Sequence, residues 1–356
     1  MKIAIDLVHP AHVHVFRNAI KLWQKNGHEV QVTSRVKDCT TELLDYYEIK
    51  HKCISKIGSG LFGLLTELLI RNFRLLVMCL KFKPDVFASV PGLSATHVGM
   101  LMRKPALIFY DTEFAGLSNA ISYPLASGIF TPECYRGDIN SRQQRYAGFH
   151  ELAYLHPKRF TPDHSVVEQL GITEDRYFII RFVSWQASHD VNEEAISFED
   201  KLALVRELSQ HGRVLISSES PLPAELEQYA FSAHPALMHH VIAFASMLIG
   251  ESATMASEAA MLGVPAVFIA KSDRGYTAEL EEKYDLVHYF KVSDMSMAVS
   301  KVKDILETEN FAGIYQSRKE KMLSEKIDVT EMIYKQVLEF AKAGRQHKAQ
   351  LRLCAE

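Results

Sequence analysis

Short apolar segments alternate with helical segments along most of this 356-residue chain. Apolar runs near residues 3–8, 29–34, 86–90 and 106–110 are separated by stretches with helical spacing, and a second series begins after residue 160. Strands that are apolar throughout are typical of parallel sheets that helices cover on both faces. The alternation therefore restricts the chain to the α/β class.

The two series predict two Rossmann-like domains, whose parallel sheets face each other across a cleft, and a carboxyl-terminal helix that crosses back. A chain of 356 residues is long enough for two such domains. We expect the first domain at residues 1–155, the second at 156–330, and a helix with a basic tail at 331–356. Ligands of open α/β sheets bind at the carboxyl ends of the strands, so the loops there are the candidate sites.

Composition excludes several classes of partner. Lys and Arg total 40 against 43 Asp and Glu, so no basic surplus favours nucleic-acid binding. The five Cys residues are scattered without a CxxC pair, which argues against a disulfide framework and against a structural zinc site. The first strand-like segment is too short and too acidic for a signal peptide. We therefore expect a cytoplasmic protein in a reducing compartment.

The most apolar helical segment covers residues 61–82. Glu67, Arg71 and Arg74 interrupt it, so a membrane-spanning helix is not expected. Two interpretations remain open, namely a helix buried against a sheet and an interfacial helix on the inner face of an anionic membrane. The second interpretation implies peripheral membrane contact, to which the basic tail could contribute.

Three histidines, His9, His12 and His14, follow the first strand. At a strand-to-helix turn, His12 or His14 could act as a general base or contact a phosphate. Structural capping is an alternative interpretation, and a metal site is a third, although no further ligands are identifiable. The loop lacks the GxGxxG pattern of NAD-binding domains, and we expect neither a cofactor nor a metal.

Two carboxylates, Asp111 and Glu113, follow the apolar strand at 106–110. Neighbouring acids in a cleft tend to have separated pKa values, which suits acid–base chemistry. The alternative is that both acids simply stabilise the first turn of the next helix.

A polar loop with one of the two Trp residues follows the first strand of the second series. Its Ser184, Trp185 and His189 could hold a nucleobase and a phosphate. A Trp that seals a domain interface is the alternative interpretation.

Small residues open a helix at Ser252, Ala253 and Thr254. The backbone N–H groups and the dipole of such a helix favour a phosphate. Glu258 lies four residues after Thr254 on the same helix face, where its carboxylate could hold both hydroxyls of a ribose. The alternative for Glu258 is an ordinary surface acid in a stable helix.

The segment 252–265 resembles the donor-site helix of two families with the GT-B fold. These are the lipid II-forming N-acetylglucosaminyltransferases and the non-hydrolysing UDP-N-acetylglucosamine 2-epimerases. The resemblance assigns Ser252, Ala253 and Thr254 to the turn before the helix, and Glu258 to the ribose. The Leu262-Gly263-Val264-Pro265 exit is similar as well.

The chain as a whole resembles the DUF354 family of GT-B-like proteins. The segments that carry this resemblance are 6–16, 111–113, 148–160, 182–190 and 254–265. They reach from the first strand to about residue 270, and they imply a GT-B fold.

The similarity to the epimerases is incomplete. Glu113 begins a segment that approximates their EAGL motif, and His189 stands where their loop histidine is expected. Leu93, however, replaces the acid of their GDT motif, and Asp190 replaces an Arg. Asp111 could substitute for the missing acid. These departures weaken the epimerase interpretation.

The resemblance implies a metal-independent glycosyltransferase that uses a nucleotide-diphosphate sugar, with a UDP-sugar favoured. The first domain would hold an acceptor, which a lipid carrier could bear, in the synthesis of a cell-surface polysaccharide or a glycolipid. An epimerase acting on UDP-N-acetylglucosamine is one alternative. A non-catalytic protein that binds nucleotide sugars is another.

Overall fold

The computed structural model describes residues 1–113, 116–183, 196–218 and 220–353. The chain forms two compact units. Unit 1 comprises Met1–Arg159 together with the residues from Ile327 onward, and unit 2 comprises Phe160–Lys326. The first sequence-based boundary lies four residues before the division after Arg159, and the second lies four residues after the division after Lys326.

Unit 1 contains a parallel sheet of seven described strands in the order β3-β2-β1-β4-β5-β6-β7. The strands are β1 Lys2–Leu7, β2 Glu29–Val36, β3 His51–Lys56, β4 Val86–Ser89, β5 Ala106–Phe109, β6 Gly128–Pro132 and β7 Gln143–Tyr146. The helices are α1 Pro10–Lys25, α2 Thr40–Tyr46, α3 Gly60–Phe82, α4 Leu93–Met102, α5 Gly116–Ser122 and α6 Leu152–Leu155.

Unit 2 contains a parallel sheet of five described strands in the order β12-β11-β10-β8-β9. The strands are β8 Tyr177–Phe182, β9 Arg213–Ser218, β10 Met247–Gly250, β11 Ala266–Ile269 and β12 Val287–Phe290. The helices are α7 His164–Gln169, α8 Phe198–Ser209, α9 Met238–Ala243, α10 Ala253–Leu262, α11 Gly275–Glu282, α12 Met295–Glu307 and α13 Phe311–Glu325. The prediction of two Rossmann-like domains with parallel sheets is confirmed.

The last helix, α14 Val329–Leu353, follows unit 2 in the chain but packs on unit 1. The indole Nε1 of Trp23 on α1 donates to the carbonyl of Tyr334 at 3.3 Å. The guanidinium of Arg345 pairs with Asp85, which precedes β4, and its Nε lies 2.9 Å from the carboxylate. The predicted return of the carboxyl-terminal helix to the first domain is therefore confirmed.

Helix α1 begins earlier than its apolar spacing indicates. The sequence predicts a helix from about residue 14, but α1 starts at Pro10, with His9 as the N-cap. A proline at the first position costs no hydrogen bond there and presets the backbone angle. As a result, His12 lies in the first turn of the helix rather than in a loop.

Helix α3 presents two of its charged residues, Glu67 and Arg71, to the protein and most of its apolar residues to solvent. Glu67 and Arg71 are buried, together with Leu75 and Cys79 on the same stripe. The large side chains that are exposed are Leu61, Phe62, Leu64, Leu65, Leu69, Ile70, Phe73, Val77 and Leu80. The expectation of a buried helix holds only for the inner stripe. None of the described helices combines the length and the hydropathy that crossing a bilayer requires.

Candidate functional site

Each sheet has one point at which the strand order reverses. In unit 1 this point lies between β1 and β4, and in unit 2 it lies between β8 and β10. The helices that follow neighbouring strands leave the sheet in opposite directions there, which opens a crevice outside the carboxyl ends of the strands. Ligands of open α/β sheets bind in such crevices, so each unit offers one candidate site.

The crevice of unit 1 contains a cavity of about 500 Å³, here called the unit 1 cavity. Loops and strand ends contribute polar lining residues, among them Asp6, His9, Arg35, Lys37 and Ser89. Helices α3, α4 and α5 contribute apolar ones, which are Leu61, Leu64, Leu65, Leu68, Leu93, Leu117 and Ile121. A volume of this size suits a small-molecule ligand.

Two buried ion pairs neutralise the acids of the unit 1 cavity. Asp6, at the end of β1, accepts from Arg71 Nε at 3.3 Å and pairs more closely with a second guanidinium nitrogen. Glu67 lies 3.5 Å from Arg35 Nη1 and accepts from the Ser55 hydroxyl at 2.8 Å. Buried charges persist only when paired in this way. With both acids satisfied, Lys37 is the third cation of the cavity lining, and its Nζ lies 3.8 Å from the carboxylate of the exposed Asp38 outside the lining.

Two helices begin at the unit 1 cavity. The His9 side chain caps α1 by accepting from the Ala11 N–H at 3.3 Å. The N-cap of α4 is Gly92, which has a φ of +79° and supplies no side-chain cap. A Cβ at this position would also lie 2.6 Å from the Ile108 side chain. Uncapped N–H groups at a helix start favour an anion.

Ser89 ends β4 beside these helix starts. It is 1% exposed and lines the unit 1 cavity, and among the described residues its hydroxyl has no hydrogen-bond partner. A buried hydroxyl without a partner costs stability, so its presence calls for a functional reason.

His12 lines the unit 1 cavity and His14 does not. Burial lowers the pKa of His12 well below its usual value, and the neighbouring His9 and His150 lower it further. His12 is therefore neutral near pH 7. His14 is buried between the rings of Tyr47 and Tyr154 instead, at 5.9 and 5.2 Å between centroids. Residues two positions apart on a helix point in different directions, which separates the two histidines.

The half-buried Asp111 pairs with the buried His150, a residue that the sequence did not single out. His150 Nδ1 lies 3.2 Å from the carboxylate of Asp111, and the Thr112 hydroxyl donates to the same carboxylate at 3.0 Å. Burial opposes the charge on both groups, yet their mutual attraction lowers the pKa of Asp111 and raises the pKa of His150. The Nε2 atom of His150 is buried and has no hydrogen-bond partner in the described ranges of the chain. A carboxylate that orients an imidazole in this way is the arrangement of a general base.

Glu113 is engaged by the protein backbone. Its Oε1 accepts from the Arg136 N–H at 3.2 Å. The structure therefore separates the two predicted acids, because Asp111 faces His150 while Glu113 holds the turn that follows β6.

In unit 2, helix α10 begins at the crevice between β8 and β10. Gly250 ends β10 with a φ of +148°, and a Cβ there would lie 2.0 Å from the Arg181 carbonyl oxygen of β8. Ser252 is the N-cap of α10 and accepts from the Met255 N–H at 3.3 Å. Ala253 is half-buried and Thr254 is exposed, so the start of the helix is open to a ligand.

Glu258 lies one turn further along α10 and is 7% exposed. Its Oε1 lies 3.0 Å from Nε2 of His239 on α9, which is itself buried. Glu258 is thus not the surface acid of the alternative interpretation. His239 fixes the orientation of its carboxylate.

The other three predicted nucleotide contacts, Ser184, Trp185 and His189, lie outside the described residues. Just before them, the Val183 N–H donates to Glu251 at 2.9 Å. The Nζ atom of the buried Lys201 lies 3.7 Å from the same carboxylate. Burial lowers the pKa of Lys201, an effect that Glu251 opposes.

Several residues of the two sites escaped the sequence analysis. His150 stands within the 148–160 segment of the family resemblance, which is the signal that could have found it. Arg35, Lys37 and Ser89 carry no local signal, because only the sheet order brings the ends of β2 and β4 beside β1. Among the described residues, no three His, Cys, Asp or Glu side chains are grouped as metal ligands.

The paired parallel sheets, each with a crevice at the reversal of strand order, define a two-domain protein of the GT-B fold. Solved structures with this fold resemble the chain over nearly its whole length. UDP-GlcNAc 2-epimerase from Neisseria meningitidis bound to UDP-GlcNAc has a TM-score of 0.65 and 13% identity, covering 95% of this chain and 100% of that one. The glycosyltransferase VinC in complex with DTDP has a TM-score of 0.66 and 10% identity, covering 96% and 100%. MurG of Acinetobacter baumannii has a TM-score of 0.57 and 16% identity, covering 94% and 99%.

Residues 1–342 match the family described as "Protein of unknown function (DUF354)", and the chain belongs to this family. An uncharacterized protein of Methanocaldococcus jannaschii is 25% identical over 314 residues, which are 85% of this chain and 91% of that protein. The resemblance expected from the sequence is thereby confirmed.

Proposed function

We propose that the protein is a metal-independent glycosyltransferase that uses a nucleotide-diphosphate sugar, with a UDP-sugar favoured. The observation that carries the proposal is the start of α10 at the crevice of unit 2. Small residues there leave helix N–H groups open, and Glu258 follows one turn later with its carboxylate held by His239. UDP-sugar and DTDP are bound by the structurally similar proteins named above.

In this proposal, the diphosphate of the donor binds at the start of α10. Departure of the nucleoside diphosphate places negative charge on its terminal oxygen, and the helix N–H groups and dipole stabilise that charge. Glu258 would accept hydrogen bonds from the ribose hydroxyls. Ser184, Trp185 and His189 remain the proposed contacts to base and phosphate. No metal ion is needed for this arrangement.

The acceptor would bind to unit 1, near the Asp111–His150 pair. His150 Nε2 would take the proton from the acceptor hydroxyl as the oxygen attacks the anomeric carbon. The bond between that carbon and the diphosphate oxygen breaks in exchange. Asp111 stabilises the imidazolium that forms. His12 is a second candidate base, since its lowered pKa keeps it neutral.

Calorimetric titration with UDP and other nucleoside diphosphates tests the donor site. We expect UDP to bind the wild type and Glu258→Gln to weaken it about ten-fold, as for a lost hydrogen bond to a charged group. Glu282→Gln, a change of an exposed acid on α11, is the matched control and should bind UDP normally. Failure of every nucleotide to bind the wild type would refute the proposed donor site.

A nucleotide-sugar 2-epimerase is the second candidate, favoured by the similarity of the whole fold to UDP-GlcNAc 2-epimerases. Incubation with UDP-N-acetylglucosamine and no acceptor separates the two. Conversion of the sugar would indicate an epimerase, whereas a transferase should leave it unchanged. Nucleotide binding without turnover in broad acceptor screens would indicate a non-catalytic binding protein.

We also propose that the protein works at the inner face of the cell membrane, in the synthesis of a polysaccharide or a glycolipid. Helix α3 supports this, because its outer face is apolar and the charges exposed on it are the cations Arg74 and Lys81. The only acid of the helix, Glu67, is buried. Such a face complements an anionic bilayer.

A further inference from the structure

The unit 1 cavity has two chemically different parts. The carboxyl ends of β2 and β4 bring Arg35, Lys37 and Ser89 to it, and α4 begins there without a side-chain cap. The two acids in the lining are already paired with arginines. Lys37 is the third cation of the lining against these two acids, and the acid that it pairs with at 3.8 Å, Asp38, is exposed and lies outside the lining. Together with the uncapped start of α4, this surplus favours a ligand with negative charge.

The other part of the lining is hydrocarbon. Four leucines of α3 contribute to it, and two of them, Leu61 and Leu65, are 72% and 54% exposed. The same helix continues beyond the cavity with exposed side chains such as Leu69 and Phe73. The apolar wall of the cavity is thus continuous with the apolar outer face of α3. A hydrocarbon chain leaving the cavity would meet this face rather than polar surface.

The Ser89 hydroxyl is a hydrogen-bond donor that is available to an anionic ligand, because it does not serve the fold. This hydroxyl is buried, lines the cavity and has no hydrogen-bond partner within the part of the chain that the structure describes. The hydroxyl would therefore gain a hydrogen bond when an oxyanion enters, and the energetic cost of leaving it unpaired would be removed.

We propose that the unit 1 cavity binds an amphiphile with a phosphate head and a hydrocarbon chain. The phosphate lies against the start of α4, with Ser89 and Lys37 donating to it, and the chain lies along the leucines of α3. This inference rests on the proposed function, since it makes the acceptor a hydroxyl-bearing group that is carried on a phosphorylated lipid.

Binding of decyl phosphate below its micelle concentration tests the inference, with inorganic phosphate and decanol as the partial ligands. We expect decyl phosphate to bind at least ten-fold more tightly than either. Equal binding of inorganic phosphate would indicate a free-phosphate site, and equal binding of decanol an unspecific apolar surface. Either result would overturn the proposal.

Single substitutions test whether decyl phosphate binds in the unit 1 cavity. Ser89→Ala should weaken decyl phosphate about ten-fold while leaving thermal stability unchanged or higher, because the lost hydroxyl has no partner to lose. Leu65→Asn should weaken it as well, whereas Leu80→Asn should not, because Leu80 is exposed near the carboxyl end of the same helix and does not line the cavity. Equal effects of Leu65→Asn and Leu80→Asn would refute binding in the cavity.

Titration of the same variants with UDP separates this proposal from the donor site. Normal UDP binding with no decyl phosphate binding would refute the lipid site alone. Decyl phosphate binding without UDP binding would refute the proposed donor site while supporting the cavity ligand.

Discussion

Helix α3 should depend on the buried pair between Arg71 and Asp6 for its orientation. Arg71 is 3% and Asp6 5% exposed, and besides Arg71 the carboxylate of Asp6 is held by the Thr33 hydroxyl at 2.6 Å. Substitution of Arg71 by Met leaves the carboxylate buried without its cation. Breaking a buried pair from one side costs about 3–5 kcal/mol. That is a large part of the roughly 5–15 kcal/mol by which domains are stable.

Urea unfolding followed by far-UV circular dichroism and tryptophan fluorescence measures this loss, and Trp23 reports on the core of unit 1. Arg74→Met is the matched control, because Arg74 is an exposed arginine of the same helix whose Nη1 donates to the Ile54 carbonyl. We expect the control to cost less than about 1 kcal/mol. The double variant Asp6→Asn with Arg71→Met should recover part of the loss, since it removes the unpaired charge. A loss below about 1 kcal/mol for Arg71→Met alone would contradict the assignment of α3 as a helix anchored by charge.

Two further predictions concern catalysis and the membrane. The raised pKa of His150 keeps it protonated to a higher pH than an ordinary histidine, so activity should rise with pH along a limb above about 6.5. Asp111→Asn removes the negative charge that raises the pKa of His150, while the burial that lowers this pKa remains. The rise of activity with pH should therefore shift to lower pH, and the maximal rate should fall. A pH profile that does not shift would exclude His150 as the base. Phe62→Ser with Phe73→Ser, two exposed positions of α3, should abolish flotation with anionic liposomes at low salt, whereas Met297→Ser, an exposed apolar residue of α12, should not. Wild-type protein that stays in the soluble fraction would refute the proposed membrane contact.

The sequence predicts most of the strands whose residues are largely buried, such as β1 and β5. It misses β6, an interior strand that is buried throughout, because Gly, Thr and Pro leave only two apolar residues in a row there. It also misses β3, β7 and β12, which lie at sheet edges and carry polar residues. An edge strand is buried less and therefore has a weaker apolar pattern. The amino-terminal turn of α10 was predictable for a different reason, since small residues, an acid one turn later and the Gly-Val-Pro exit are all local in sequence.

The sequence shows that His12 and His14 are close in the chain, but it does not show that only His12 lines the unit 1 cavity. That depends on the start of α1 at Pro10, which sets the direction of each side chain. The pairing of Asp111 with His150 joins residues 39 positions apart in the chain. No periodicity encodes such a contact.

The sequence by itself determined the α/β class, the two parallel sheets and the helix start that could hold a phosphate, because these follow from short-range patterns of apolar and small residues. Only the tertiary structure decided which side chains meet. It set Arg71 against Asp6, His150 against Asp111 and His239 against Glu258. It also turned the apolar face of α3 outward, because two ion pairs fix the inner face and a helix cannot bury both sides at one sheet.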